Sequence, residues 1–307
     1  MIDETRYMVT GMPENSDDDH IVRATALGGR VKACAVNSTK LTAEAMRLHN
    51  TSPVVTAALG RFMTGSLLIA DSMKGKQDTQ TTIIKCDGPI RGMTAVCDTC
   101  GHVRAYPIEN DVESTYHKPG KLNVGEAVGK GMLTVIRDIG LREPYVGQTE
   151  LMTGEIAEDF TYYLATSEQT PSIVALGVKL EEGKVTHAGG MMVQLMPGAT
   201  EEDIDYLEKR VNGGFPEITY LMEEGFTPAK ILDLFLGDPE IAYWDANKVS
   251  FECTCSKSKF SDSLSVLGKD ELNELIKDEK GIDVECHFCN SKYHFNPSEL
   301  ADIINAK

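Results

Sequence analysis

The sequence lacks the excess of positive charge that is typical of nucleic-acid-binding proteins. Its 307 residues contain 30 lysines and arginines against 47 aspartates and glutamates, so the formal net charge is −17. Because such a surface repels phosphate backbones, the composition disfavours nucleic acid as a partner. Common catalytic and phosphate-binding motifs are also missing, including G-x-G-x-x-G, the P-loop, G-x-S-x-G and H-E-x-x-H. We therefore predict that the protein is not an enzyme.

A long uncharged apolar run is missing as well. The most apolar stretch, residues 52–73, contains Arg61 and Asp71, whereas a membrane-spanning helix needs about 20 mostly apolar residues. The first ten residues, MIDETRYMVT, lack the basic and apolar regions of a signal peptide. We expect a cytoplasmic protein without a membrane partner, and the cytoplasm keeps most thiols reduced.

The first two-thirds of the chain predict an α+β fold. Many strand-like segments, rich in β-branched residues, are separated by short turns, and only a few helical patterns interrupt them. The predicted strands are residues 30–39, 79–86, 92–97, 102–108, 132–139, 145–152, 172–180 and 186–196. The predicted helices are residues 39–50, a helix opened by Ser52 and Pro53, and residues 155–169. The acidic stretch DDDH, residues 17–20, is expected to be a solvated loop.

The character of the sequence changes after Pro197. Short helical patterns punctuated by glycine and proline follow, and Thr200 with Asp203 forms a capping-box pattern at the first of them. The sequence therefore predicts a strand-rich domain at residues 1–197, a helical linker at 198–249 and a small zinc-binding domain at 250–307. One apolar stripe of the linker is a candidate surface for a partner protein: Ile204, Leu207 and Val211.

Four of the eight cysteines lie in the last segment. Cys253 and Cys255 form C-x-C, and Cys286 and Cys289 form C-x-x-C after a spacer of 30 residues. A segment of this size buries little apolar surface and is usually stabilised by a metal or by disulfides. Two close cysteine pairs in a reducing compartment predict a tetrahedral Zn²⁺ site with four thiolate ligands.

Two histidines near the second pair offer competing ligands. His287 and His294 have the right chemistry for zinc, but four cysteines already complete a tetrahedral shell. We expect both histidines to lie outside the coordination shell.

The same four cysteines carry redox chemistry. Zinc-bound thiolates are deprotonated and react with oxidants, and a disulfide across the short C-x-C loop is strained and easily reduced. Because structural zinc contributes roughly 10–16 kcal/mol to small zinc peptides, oxidation of its ligands is expected to unfold the segment. Four cysteines allow three disulfide connectivities, and the spacing does not choose among them.

With these features the chain resembles the redox-regulated 33 kDa heat-shock chaperone family. The resemblance includes CDGPIRGMTAV, GHVRAY, GEIAEDFTYYLATSEQTPSIVALGV and GGMMVQLMPGA in the strand-rich region, and LGKDELNELI and CHFCNSKYHF in the tail. It implies an ATP-independent chaperone, or holdase, that is inactive when reduced and zinc-bound. Oxidation releases zinc, forms the disulfides Cys253–Cys255 and Cys286–Cys289, and leads to a homodimer that binds unfolding proteins.

One cysteine pair is not explained by the resemblance. Cys97 and Cys100 flank a hairpin turn in CDTCG. They are a candidate second redox pair, or half of a metal site with Cys34 and Cys86, while the simpler interpretation is two unrelated turn positions. A thioredoxin-type pair has its first cysteine at a helix N-terminus, which favours the simpler interpretation.

Two other classes of protein compete with the chaperone. A thiol-disulfide oxidoreductase would use a cysteine pair of low pKa and would turn over substrate. A zinc-ribbon nucleic-acid-binding protein would have a basic tail, but residues 251–307 contain eleven acidic and seven basic residues. The tail therefore has the wrong sign for that second class.

Overall fold

The computed structural model describes residues 10–305 apart from 14, 16, 119, 278 and 279. The chain divides into two compact units, Met1–Phe251 and Glu252–Lys307. Our expectation that the first ten residues lack a signal peptide concerns a segment of which the structure describes only Thr10.

The described part of the chain is strand-rich, with helices between the strands. The strands are β1 His20–Ala26, β2 Val31–Asn37, β3 Thr79–Cys86, β4 Gly92–Asp98, β5 His102–Pro107, β6 Tyr116–Lys118, β7 Lys121–Leu122, β8 Gly131–Asp138, β9 Tyr145–Glu150, β10 Ser172–Glu181, β11 Lys184–Leu195, β12 Ala242–Lys248, β13 Ser250–Phe251, β14 Ile282–Glu285 and β15 Lys292–Phe295. The helices are α1 Thr39–His49, α2 Pro53–Ala70, α3 Val124–Val128, α4 Ala157–Thr166, α5 Glu201–Asn212, α6 Ile218–Glu223, α7 Pro228–Leu236, α8 Lys257–Ser265, α9 Lys269–Ile276 and α10 Pro297–Asn305.

Two sheets form the frame of the first unit. One has five strands in the order β10-β11-β2-β1-β12, and the other has six in the order β13-β5-β4-β3-β8-β9. The pairings are antiparallel, except that the short strand β13 runs parallel to β5. This arrangement confirms the predicted α+β class with a strand-rich N-terminal region.

Helix α2 packs between the two sheets. It contacts β10 and β11 of the five-stranded sheet and β4 and β5 of the six-stranded sheet. The helix has the length and composition of a membrane span, yet 89% of it is buried inside the protein. Its apolar side chains belong to one core with the inward residues of both sheets. Burial of this surface is the main driving force for folding of the unit.

The opposite face of the five-stranded sheet is covered by α5, α6 and α7. Leu207, Ile218 and Phe235 from these helices are buried in a second core with Met191 and Val193 of β11. The segment 198–249, predicted to be a helical linker, therefore packs on the sheet and lies within the first compact unit. It is also not wholly helical, because its last part forms strand β12 beside β1.

Helix α5 begins as the capping-box pattern predicts. The side chain of Thr200 accepts a hydrogen bond from the backbone N–H of Asp203, and Asp203 in turn accepts one from the backbone N–H of Thr200. Asp203 also forms a two-pronged ion pair with Arg30, with N–O distances of 2.7 and 2.9 Å. Hydrogen bonds from Arg30 and Thr200 hold the pKa of Asp203 far below its usual range. The ion pair joins the first turn of α5 to Arg30, the residue directly before strand β2.

The apolar stripe of α5 is largely used in this packing. Leu207 is buried, Ile204 is half-buried and Val211 is exposed. In this structure the stripe is therefore largely covered, and its role as a partner surface stays a prediction.

The acidic stretch at residues 17–20 is not the solvated loop that we expected. Asp19 and His20 are buried, and His20 starts strand β1. The carboxylate of Asp19 accepts hydrogen bonds from the backbone N–H groups of Lys40 and Leu41, at 2.9 and 2.6 Å, in the first turn of α1. Burial raises the pKa of Asp19 to about 6. The carboxylate thus satisfies helix N–H groups that have no partner within the helix.

The close contact between α2 and α4 yields a stability prediction. A Cβ atom at Gly65 would lie 2.2 Å from Cε2 of Phe160, whose ring is fully buried. Gly65→Ala gains about 1 kcal/mol of helix propensity, but overpacking of a core typically costs about 1–3 kcal/mol. We expect net destabilisation, measured by urea unfolding. The double variant Gly65→Ala, Phe160→Leu should recover part of the loss, whereas equal or greater stability of the single variant would contradict this packing argument.

Candidate metal and redox centre

The second unit has a small apolar core. Its buried members among the described residues are Leu272 of α9, Phe295 of β15, and Leu300 and Ile303 of α10. Several half-buried side chains pack around these four, including Phe260 of α8 and Tyr293 of β15. A core of this size leaves such a unit marginally stable without a further cross-link.

The C-x-C pair lies in irregular backbone just after β13. Cys253 and Cys255 flank Thr254, and the ammonium group of Lys259 on α8 donates to the backbone oxygen of Thr254 at 2.7 Å and to its hydroxyl at 2.9 Å. Ser256 caps α8, because its side chain accepts a hydrogen bond from the backbone N–H of Lys259. The start of α8 therefore fixes the C-x-C segment.

The C-x-x-C pair lies in the turn between β14 and β15. The backbone N–H groups of Cys289 and Asn290 both point to the carbonyl of Cys286, at 3.3 and 2.7 Å. The backbone N–H of Cys286 donates to the carbonyl of Ser291 at 2.9 Å, and Asn290 has a left-handed φ of 55°. This tight turn presents both sulfur atoms on one side of the hairpin.

The two pairs meet in space, as their spacing predicted. The four Sγ atoms of Cys253, Cys255, Cys286 and Cys289 all lie within 4.8 Å of one another. Cys253 Sγ is 3.7 Å from Cys286 Sγ, and Cys255 Sγ is 3.3 Å from Cys289 Sγ. A tetrahedral zinc ion with Zn–S bonds of about 2.3 Å separates its sulfurs by about 3.8 Å. The donor set and its spacing therefore fit zinc.

Two neighbouring groups that the sequence did not single out contact these sulfurs. The hydroxyl of Tyr293 is 3.1 Å from Cys255 Sγ, and that of Ser291 is 3.2 Å from Cys289 Sγ. Hydroxyls at i+2 and i+4 from the last cysteine are a weak sequence signal, because most serines and tyrosines have no such role. Here the thiol of Cys289 donates to the hydroxyl of Ser291, and the hydroxyl of Tyr293 shares a hydrogen bond with Cys255, so both lie at the outer side of the ligand set.

Three of the thiols have shifted pKa values. Burial raises the pKa of Cys253 and of Cys286. Burial also acts on Cys289, but hydrogen bonds with Ser291 and with the other thiols outweigh it and lower its pKa to about 7. A thiolate is the form that binds metal and reacts with oxidants, so Cys289 is better prepared for both than Cys253 or Cys286.

The nearby histidines stand outside this group, as expected. The group of potential ligand atoms around the sulfurs contains only the four cysteines among the described residues. Nδ1 of His294 lies 2.9 Å from the carboxylate of Asp283 on the neighbouring strand. His287 is exposed.

The cysteines of the first unit have a different environment. Cys34 and Cys97 are each 1% exposed and belong to the main core, while Cys100 is exposed at the hairpin tip. Burial raises the pKa of Cys34 and Cys97, and raises that of Cys86 to about 11. These three are therefore poor thiolates at neutral pH. The pairing of Cys97 with Cys100 stays a prediction.

A second cluster of potential ligands occurs at the same hairpin tip. Asp98, Cys100 and His102 place one ligand atom each within 4.8 Å of one another. One carboxylate oxygen of Asp98 already accepts the backbone N–H groups of Cys100 and His102, and the other lies 3.0 Å from Nδ1 of His102. These contacts are sufficient to explain the cluster as a hairpin turn. Cys34 and Cys86 do not belong to it.

Cobalt provides a direct test of the four-sulfur group. The reduced full-length protein should bind one equivalent of Co²⁺ with the near-ultraviolet thiolate bands and visible bands of a tetrahedral site, because four thiolates converge. Cys286→Ser should weaken the thiolate bands. Cys100→Ser and His287→Ala are the matched controls and should leave the spectrum unchanged. Loss of the bands in either control would show that the ligand set is assigned wrongly.

Comparison with known proteins identifies the family. The family model described as Hsp33 protein matches residues 19–296. The chain is 47% identical to the 33 kDa chaperonin of Lachnoclostridium phytofermentans, over 94% of this chain and 98% of that protein. It is 45% identical to the 33 kDa chaperonin of Clostridioides difficile, over 93% and 98% of the two chains. The crystal structure of the 33 kDa chaperonin of Thermotoga maritima matches with a TM-score of 0.85 and 32% identity, over 94% and 98% of the two chains. The chain therefore belongs to the Hsp33 family of chaperones.

Proposed function

We propose that the protein is a redox-regulated, ATP-independent holdase of the cytoplasm. It binds unfolding and oxidatively damaged proteins and prevents their aggregation. The observation that carries the proposal is the convergence of four cysteine sulfurs within 4.8 Å in a unit with a small core. Membership in a chaperone family supports the function, and the sulfur group supplies a means of control by oxidants.

In the reduced state, Cys253, Cys255, Cys286 and Cys289 hold one Zn²⁺ and the chaperone is inactive. When bound, the ion joins the C-x-C segment to the β14–β15 hairpin by four bonds. The α8 and α9 helices lie between these two anchors in the sequence. The ligands thus close a long loop whose own apolar core is small, which stabilises the folded unit.

Oxidation acts on the cysteines in two equal steps. In each step, one molecule of peroxide and two protons from solvent take up two electrons from two thiolates, one S–S bond forms, and two molecules of water leave. Family resemblance assigns the pairs Cys253–Cys255 and Cys286–Cys289. Sulfurs in disulfides are poor zinc ligands, so the metal is lost, and only the small apolar core then connects the two anchors. We propose that this unit unfolds and that the active form is a homodimer.

The proximity of the sulfurs leaves a second pairing to be tested. The Sγ atoms of Cys253 and Cys286 are also close, at 3.7 Å, and those of Cys255 and Cys289 are 3.3 Å apart. Peptide mapping of the oxidised protein separates the two patterns. In the family pattern each disulfide lies within one short peptide, which contains either the C-x-C or the C-x-x-C pair. Disulfides between the C-x-C peptide and the C-x-x-C peptide would overturn the proposed pairing.

The rival functions make different predictions. A thiol-disulfide oxidoreductase turns over, so it would reduce insulin catalytically, whereas a holdase protects its clients stoichiometrically. A zinc-ribbon nucleic-acid-binding protein would bind DNA in a salt-sensitive manner. The acidic tail and net charge of −17 disfavour that binding.

The central test is an aggregation assay with thermally unfolding citrate synthase. Peroxide-treated protein should suppress light scattering at near-equimolar ratio without ATP, and reduced protein should suppress it far less. Zinc release, followed with a chromogenic chelator, should precede protection. The variant Cys100→Ser is the matched control and should behave like the unmodified chain. Equal protection by both redox forms would contradict the switch while leaving the chaperone function intact.

The candidate pair at the hairpin tip has its own test. Cys97 is 1% exposed and its pKa is raised by burial, so we expect mild peroxide to leave it as a free thiol. Mass spectrometry after alkylation with iodoacetamide should show Cys100 labelled and Cys97 protected only until the protein is denatured. A Cys97–Cys100 disulfide at peroxide levels that release zinc would establish a second redox pair.

A further inference from the structure

Strand β10 forms one edge of the five-stranded sheet. It pairs with β11 on one side, and among the described residues no strand pairs with its other side. The strand has ten residues, from Ser172 to Glu181. An edge of this length carries a row of backbone N–H and C=O groups that can pair with another chain.

The hydrogen-bond pattern identifies which residues face outward. Leu195 donates to the carbonyl of Pro171 at 3.1 Å, so the odd-numbered residues of β10 exchange hydrogen bonds with β11. The backbone N–H of Val174 points the other way and donates to Thr161 of α4 at 3.2 Å. By alternation, the N–H and C=O groups of Leu176 and Val178 also point away from the sheet.

These outward groups lie on the floor of a groove. A cavity of the first unit, with a volume of about 1220 Å³, is lined by all nine residues from Ile173 to Glu181. One wall consists of α2 and the β6–β7 hairpin, and the other is the chain from Phe215 to Tyr220 at the start of α6. The edge is therefore recessed between two walls.

The walls are suited to an extended peptide. Ala57 of α2 and Leu122 of the hairpin contribute apolar surface on one side, and Phe215 and Ile218 contribute it on the other. An ion pair between Lys121 and Glu217, at 3.1 Å, connects the two walls. Exposed ion pairs of this kind contribute about 0–1 kcal/mol, so this one opposes entry only weakly.

We infer that the edge of β10 binds an extended segment of an unfolded client by adding a strand to the sheet. The inference rests on the proposed holdase function and gives it a site. Backbone hydrogen bonds provide affinity for many sequences, as expected for a chaperone. The preferred segment has alternating apolar side chains and no proline, because proline lacks the N–H group that pairing requires.

Because the edge is recessed, its occupant must be a single extended chain. An edge strand of a folded protein is flanked by its own helices and loops, which would collide with α2 or α6 before the backbones could meet. An unfolded segment has no such flanks. The register shift between Lys179 and Leu180 interrupts the regular pattern near one end, so the usable edge is centred on Leu176 and Val178.

The test uses the peroxide-treated full-length protein, which is the form proposed to be active, and one synthetic probe. The probe is a fluorescein-labelled nine-residue peptide with alternating valine and threonine and a lysine at each end. Val178→Pro removes an outward N–H and leaves the bonds to β11 intact. We expect its affinity for the peptide to fall about tenfold or more, since a donor is lost and the ring obstructs the edge. Val178→Ala keeps the N–H and should bind within about threefold of the unmodified chain.

A matched proline on another edge controls for general effects. Leu151 donates to the carbonyl of Gly131, so the N–H of Gln148 on edge strand β9 also points outward by alternation. Gln148→Pro should leave peptide binding unchanged. Thermal unfolding of all variants establishes that they fold.

Three results would overturn the inference. The first is unchanged peptide binding by Val178→Pro. The second is an equal loss of peptide affinity in Gln148→Pro. The third is that Val178→Pro loses a dimer in sedimentation but still binds the peptide. The citrate synthase assay is run in parallel. If the oxidised unmodified chain protects citrate synthase but Val178→Pro binds the peptide as well as the unmodified chain does, the proposed site is refuted and the proposed function is not. Peptide binding at the edge without protection by either redox form refutes the proposed function alone.

Discussion

The C-terminal unit depends on one constraint, namely that four sulfurs from two distant places in the sequence come within 4.8 Å of one another. Cys253 and Cys255 enter from the segment after β13, and Cys286 and Cys289 from the hairpin 30 residues later. Four buried apolar side chains, with half-buried ones around them, provide the apolar cohesion of its described part. A structural zinc site contributes roughly 10–16 kcal/mol in small peptides, as much as the whole stability of many domains. With zinc bound as proposed, the fold of this unit and the redox state of its sulfurs would be one equilibrium.

The first unit is built on the opposite principle. Its core is the apolar helix α2 enclosed by two sheets, and it contains no close group of cysteine sulfurs among the described residues. Cys34 and Cys97 are buried in that core, where desolvation raises the pKa of both thiols and suppresses their thiolate form. These two core thiols are therefore poorly prepared to react with an oxidant at neutral pH.

The sequence predicted those features that local patterns determine. Alternation identified the strands on either side of α2, the pair Thr200 and Asp203 marked the start of α5, and two short spacings identified the sulfur group. Strand β12 was missed because AYWDANK has one fully buried residue, Ala246. Its conformation depends on pairing with β1, more than 200 residues earlier in the chain. The role of Asp19 was missed for the same reason, since it caps a helix 20 residues further along.

The geometry of the β10 edge also bears on how the proposed holdase would avoid binding itself. A long, flat and open edge would promote association between folded copies, and a large apolar patch would do the same. Here the edge lies between α2 and α6, so steric exclusion rejects folded surfaces before chemistry is involved. A net charge of −17 adds repulsion between copies at long range. Selectivity for unfolded chains then follows from shape: only a chain that has lost its own flanking structure can present a bare backbone to Leu176 and Val178.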